Sequence, residues 1–173
     1  MITAIIQTRD DEVALAHALA ALVPAATEGV VRQVIVIDHG SADGTRIVAD
    51  AAGCTVIDAA GAEADPVRRV AEMARTDWLL LMPPSLRLSP AWQGDALAFI
   101  DAALVGGTAR GRIAAIRAGT IASGLRGWLR APLSRSQGWL VAKSAYLAAK
   151  PPRRSSAFSF AASRASGARR GAA

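Results

Sequence analysis

The chain has one cysteine, Cys54, and two histidines in 173 residues. A lone thiol excludes an internal disulfide and any multi-cysteine zinc site; Cys54 reads as a small core residue. Aromatics make up 5% of the chain. The four tryptophans lie too far apart in sequence to form a stacking stripe. Trp78 and Trp92 fall in apolar patterns that read as core, and Trp128 and Trp139 in a basic region that could meet a lipid interface or a sugar face. No apolar run nears the ~18–20 residues of a membrane span. The opening "MITAIIQTRDD" has no basic stretch before its apolar one, so it does not read as a secretion signal. Acid is missing from the last part: all 14 Asp and Glu lie at or before Asp101. Residues 1–101 hold seven basic against fourteen acidic side chains, a net charge of −7; residues 102–173 hold thirteen basic side chains and no acid. That asymmetry points the C-terminal part at something anionic, a membrane surface or a phosphorylated ligand, with nucleic acid the lesser alternative. A solvated basic tail is the plain alternative.

What is present is a core-forming chain, 52% apolar, of single-domain length. "ITAII" reads as a first strand, and Asp10 or Asp11 as the cap of a helix carrying Leu15, Leu19 and Leu22 and ending near Pro24. "QVIVID" is a second strand, apolar on both faces as a central parallel strand is. A helix follows over about Gly44 to Ala52. "CTVID", "PVRRVAEMA" and "DWLLLM" read as strand, helix and strand, and a further helix runs from Ser89 through Trp92, Leu97 and Ile100. Alternating strands and helices predict an α/β fold, a mainly parallel sheet with helices on both faces, whose ligand sits beyond the carboxyl ends of the strands. After Gly107, "GRIAAIRAG" is a candidate fifth strand, "ASGLRGWLRAPL" a basic amphipathic helix, and "QGWLVAKSAYLAA" a strand passing into a short helix. The expected division is a domain over residues 1–149 and a disordered, basic, low-complexity tail over 150–173.

The loop after the first strand has no glycine. A dinucleotide fold needs G-x-G-x-x-G there to bring backbone against a pyrophosphate, and no Walker loop is present either. What remains is an acid at the tip of the second strand, in "VIVIDHGSADGT". Asp38 can accept hydrogen bonds from a base N–H or ribose hydroxyls, and groups around Thr8 can complete a pocket for a flat base. Ser41 or Asp43 can cap the following helix. His39 could serve as a base or phosphate donor; His17 reads as structural or solvated.

These two stretches, "ITAIIQTRDDE" and "VIVIDHGSADGT", resemble the start of a family 2 glycosyltransferase, whose second-strand motif V-V-D-D-G-S-x-D-G-T is matched at Asp38, Gly40, Ser41, Asp43, Gly44 and Thr45, with His39 in place of the second acid. The likeness extends over residues 2–90 and loosely over 110–149, where "RSQGWLVAKSAY" resembles a later family stretch. It implies a GT-A-like (Rossmann-like) three-layer fold. It implies a nucleotide site in which Thr8 and Asp38 meet the base, Asp10 and Arg68 lie near ribose or phosphates, and Ser41 belongs to the same loop. It implies a function too: transfer of a sugar from a nucleoside diphosphate sugar, UDP-type by resemblance, to an acceptor hydroxyl. The chain departs from the family in two places. Where D-x-D should follow "LLLM" stand Pro83, Pro84 and Ser85, so no tight divalent metal site is expected. No acid follows Asp101 to act as general base, and no G-G-[FY] stretch follows "SAYLAA". Composition suggests an ending replaced by truncation or a change of reading frame. The expectation is therefore a metal-independent or weakly active transferase, with Arg87, Arg110 or Arg112 standing in for metal charge. An inactive relative of the same fold, and an anionic-membrane or nucleic-acid binder through residues 102–173, are the alternatives. A cytoplasmic location, with peripheral contact at the inner face of the membrane as a variant, completes the expectations.

Overall fold

A computed structural model gives the architecture. It describes residues 1–61, 65–105, 113–117, 120–123 and 137–149, with backbone alone for 113–117, 120–123 and 137. The chain alternates strictly at first: β1 (Ile2–Thr8), α1 (Glu12–Thr27), β2 (Val31–Asp38), α2 (Thr45–Ala51), β3 (Thr55–Asp58), α3 (Pro66–Met73), β4 (Trp78–Met82) and α4 (Trp92–Val105). It continues as β5 (Ile113–Arg117), β6 (Thr120–Ser123), β7 (Gln137–Ala142) and α5 (Lys143–Ala148). The seven strands form one sheet in the order β3-β2-β1-β4-β7-β5-β6. β3, β2, β1 and β4 are mutually parallel; β7, β5 and β6 add an antiparallel edge.

The parallel half follows from its side chains. Every residue of β1 and of β4 is buried, as strands covered on both faces must be. Ile2, Ile5, Ile6, Ile35, Ile37, Leu79 and Leu80 are almost fully removed from solvent. Burying a side chain of that size contributes about 1.5–3 kcal/mol each. α1 lays Leu15, Ala18, Leu19 and Leu22 on the sheet, the spacing of one helical face. Trp78 and Trp92 join the core, and Trp78 meets the Phe99 ring edge-on at 5.8 Å. Cys54 is half-buried against the core and His17 is exposed.

Three local expectations change. α1 does not stop at Pro24 but runs one more turn to Thr27. Proline there removes only the hydrogen bond to the carbonyl of Ala20, an exposed residue whose oxygen can turn to water. Trp139, placed at a lipid or sugar surface by the basic residues around it, is 2% exposed, because its neighbours across the sheet, Leu81 and Ala115, make β7 an interior strand. Ala122 and Ser123, the first residues of the expected amphipathic helix, belong to β6; the rest of that segment, with Trp128, Arg110, Arg112 and the tail beyond Ala149, lies outside the described residues. No described helix is long and apolar enough to cross a membrane.

The short helices α3 and α5 cap each other. Arg68 on α3 donates to the carbonyls of Leu147 (2.8 Å) and Ala149 (3.4 Å) at the end of α5. Lys143, the first residue of α5, donates to the carbonyls of Glu72 (3.0 Å) and Ala74 (2.8 Å) at the end of α3. Each cation meets carbonyls that the helix leaves unpaired and that carry its negative pole.

Candidate functional site

The first strand runs to β2 on one side and β4 on the other, so the direction of winding reverses at β1. Open α/β sheets bind ligands in the crevice at such a reversal, outside the carboxyl ends of the strands. Four loops meet there, and two are stitched together side chain to backbone. Asp10 Oδ1 accepts from Ala42 N (2.7 Å), and Asp10 N donates to Ser41 Oγ (3.0 Å). Asp11 N donates to Thr45 Oγ1 (3.0 Å) and Glu12 N to Asp43 Oδ2 (3.1 Å). In return Glu12 Oε2 accepts from Gly44 N (3.1 Å).

The start of α1 is thus capped from the other loop. Asp11 holds the cap position without a side-chain bond to the helix, which corrects the expectation that Asp10 or Asp11 caps it. Asp10 is drawn to Ala42 with a left-handed backbone, φ 51°, and Asp11 Oδ2 turns back to Arg9 N (3.3 Å). Asp43 accepts from Thr45 N as well (3.0 Å), at the first turn of α2. Burial pushes the Asp43 carboxyl up, but its hydrogen bonds from Thr45 and Glu12 outweigh that and hold it below the usual range. Ser41 serves Asp38 rather than a helix, donating through both N (3.1 Å) and Oγ (2.5 Å) to Oδ1.

Thr8 and Asp38 face each other in register at the ends of β1 and β2. Both are wholly buried. Among the described residues Thr8 Oγ1 and Asp38 Oδ2 have no hydrogen-bond partner, although native proteins pair nearly every such atom. Leaving each unpaired costs about 1–3 kcal/mol. Arg46 Nη1 lies 3.7 Å from Oδ2 and donates to Asp58 Oδ2 at 3.1 Å. Asp58 is held below the usual carboxylate range, first by the Ala60 backbone N–H and then by Arg46. His39 packs beside this pair, with Nε2 3.0 Å from Gln7 Oε1. Burial lowers its pKa and so does Arg9, against the raising effects of Asp38 and of a bond to the Ala59 backbone.

Of the expected site residues, Thr8, Asp10, Asp38 and Ser41 therefore come together in one cluster. Arg68 does not join them in a bond; it is engaged with α5 and with Glu72 (3.7 Å). Arg46 enters the cluster without having been expected: it follows the recognisable motif by one residue, and only the register of β2 on β3 brings Asp58 to it.

The end of β4 has a different chemistry. Pro83 and Pro84 are buried and Ser85 is exposed. Leu86 N donates to Pro83 O (3.1 Å), closing a turn with proline at its second position. That turn folds Leu86 onto Gly138 of β7, where a Cβ would lie 2.7 Å from Leu86 Cδ2 and 3.1 Å from Leu81 O. A hard divalent cation needs carboxylate oxygens. Two prolines offer none, so the residues present here do not fit such an ion. Among the described residues no group of three or more His, Cys, Asp or Glu is placed to hold a metal.

No protein-family model matches the chain, and no curated protein matches it. Solved structures do. Glucosyl-3-phosphoglycerate synthase from Mycobacterium tuberculosis in complex with uridine diphosphate superposes with a TM-score of 0.54 at 16% identity, over 83% of this chain and 57% of that one. The same synthase with Mn²⁺, UDP-glucose and phosphoglyceric acid gives 0.55 at 19%, over 83% and 56%. The chain spans a little over half the length of these neighbours. At such identity the likeness establishes the fold, and the α/β, GT-A-like architecture expected from the sequence is the one the chain has.

Proposed function

We propose that the chain binds a nucleoside diphosphate sugar through its base at Thr8 and Asp38, and that it is a glycosyltransferase-like protein moving the sugar to an acceptor hydroxyl without a tightly bound divalent metal. One observation carries the reading: two buried polar atoms on residues in register, Thr8 Oγ1 and Asp38 Oδ2, lack partners among the described residues at the ligand edge of the sheet. A base that donates a ring N–H to Asp38 and accepts from Thr8 would satisfy both. Uridine is the base favoured, because neighbours of this fold include structures solved with uridine diphosphate and with UDP-glucose. Asp10 and Ser41 tie the loops after β1 and β2 together, and the reading assigns Asp10 to the ribose. Arg87, exposed just past the β4 turn, is the described cation that the diphosphate would meet.

The second reading, an inactive nucleotide-binding relative, is favoured by Pro83 and Pro84 at the end of β4, which offer no carboxylate to a divalent metal at a diphosphate. Calorimetric titration of UDP and GDP, with Mn²⁺ and with EDTA, tests what the two share. Binding by the wild type that Asp38→Asn abolishes and EDTA leaves intact supports the site. No binding by the folded wild type at millimolar nucleotide refutes it. Release of UDP from a donor sugar on adding an acceptor then separates transferase from relative.

A further inference from the structure

The pair Thr8 and Asp38 has a third residue in line with it, Asp58, whose position follows no motif. Thr8, Asp38 and Asp58 stand in one row at the ends of β1, β2 and β3, paired in register. Side chains at facing positions of parallel strands project from the same face. Arg46 reaches into this row from α2. It hydrogen-bonds Asp58 and stops 3.7 Å from the unpartnered oxygen of Asp38. Its side chain is 48% exposed, that of Asp38 not at all. The guanidinium therefore links the sealed carboxylate to the surface, and its hydrogen bond is to Asp58 rather than to Asp38.

We propose that Arg46 is a specificity-determining residue of the base site: it presents a donor on the side of Asp38 away from Thr8, so that the row reads a base as hydroxyl, carboxylate, guanidinium. This deepens the nucleotide reading above and rests on it. On entry the base N–H takes Asp38 Oδ2 in place of the guanidinium's charge contact, while Arg46 stays on Asp58 and donates to the base carbonyl beside that N–H. The edge that satisfies all three groups has a ring N–H flanked on the Arg46 side by a carbonyl. Uracil has it, and so does guanine. Cytosine and adenine have an unprotonated ring nitrogen at the centre; turned to place their amino group on Asp38, they leave one end of the row unmatched. A site built to hydrogen-bond a group rejects the analogue lacking it far more strongly than an apolar pocket rejects a change in size, because its own polar groups are left unpaired.

The test is nucleoside binding by uridine and cytidine, measured on the wild-type chain, Arg46→Lys and Arg46→Met, with thermal melts to show that each is folded. The wild type is expected to prefer uridine by at least about tenfold. Arg46→Met is expected to lose most of that preference by weakening uridine, and Arg46→Lys to keep part of it through its single ammonium. If Arg46→Met fails to fold, Asp58→Asn serves instead, since it frees the guanidinium from its anchor and is expected to lower the same ratio. A wild-type ratio retained in folded Arg46→Met overturns the inference alone and leaves Arg46 as a tie between α2 and β3. A folded wild type that binds neither nucleoside nor UDP overturns the nucleotide reading, and this inference with it.

Discussion

Removing the Asp43 carboxylate should loosen the whole ligand edge, by an amount that the contacts allow to be estimated. Asp43 accepts from Glu12 N, a donor at the start of α1, and from both N and Oγ1 of Thr45 at the start of α2. Loss of a helix cap costs about 0.5–2 kcal/mol. Losing the paired bonds of Thr45, which is buried, adds about 1 kcal/mol, discounted because Asp43 itself is exposed. Asp43→Ala should therefore cost about 1.5–3 kcal/mol. For a domain of this size that lowers the melting temperature by roughly 3–12 °C. The effect has a pH sign. The Asp43 carboxyl is held below its ordinary 3.8 in the folded chain. The unfolded chain thus takes up the proton first, and the stabilisation is complete above the ordinary value and lost as pH falls through the folded one. Urea unfolding of wild type and Asp43→Ala at pH 7 and near pH 3 measures both halves. The two proteins should differ at pH 7, and the gap should narrow in acid. A pH 7 difference under about 0.5 kcal/mol, or one of unchanged size in acid where both still fold, would show that the two loops are not held together by this carboxylate.

Other outcomes follow from the same contacts. Gly138→Ala should destabilise by about 1–3 kcal/mol through overpacking against Leu86 and the Leu81 carbonyl; Leu86→Ala in the same chain should relieve part of it, and chemical denaturation of the single and double variants reads the coupling. Because His39 is held below its ordinary 6.5, the unfolded chain binds its proton first and stability falls as pH drops below about 6.5. His39→Gln should flatten that part of the stability profile, and an unflattened profile would assign the slope to another group. Mn²⁺ should leave UDP affinity within about twofold of its value in EDTA, since the turn after β4 brings no carboxylate; a tenfold gain with Mn²⁺ would locate a metal on other acids. Arg68→Ala should free the end of α5 and raise amide exchange there, while leaving uridine affinity unchanged.

How much of this was legible in the chain depends on the range of each interaction. The order of β1 to α4 could be read from "ITAII", "VIVID" and "DWLLLM", because a strand buried on both faces must be apolar throughout and the helices between carry one apolar face. Thr8, Asp38 and Ser41 could be read as a cluster, because the Ser41 bond to Asp38 spans three residues and strand ends converge in any parallel sheet. The cap of α1 could not. Its donors at Asp11 and Glu12 meet acceptors 34 and 31 residues away, and the local rule named Asp10 and Asp11 because both are good cap residues at the right place. The same limit hid Arg46, whose role depends on β3 standing beside β2 in a register that sets Asp58 opposite Asp38. Arg68 shows the converse. A motif placed it by a nucleotide, while the pairing of α3 with α5, 79 residues on, gives its guanidinium two carbonyls to hold. A cation near an anion site and a cation at a helix end look alike in sequence, and only the partner that reaches it decides which it is.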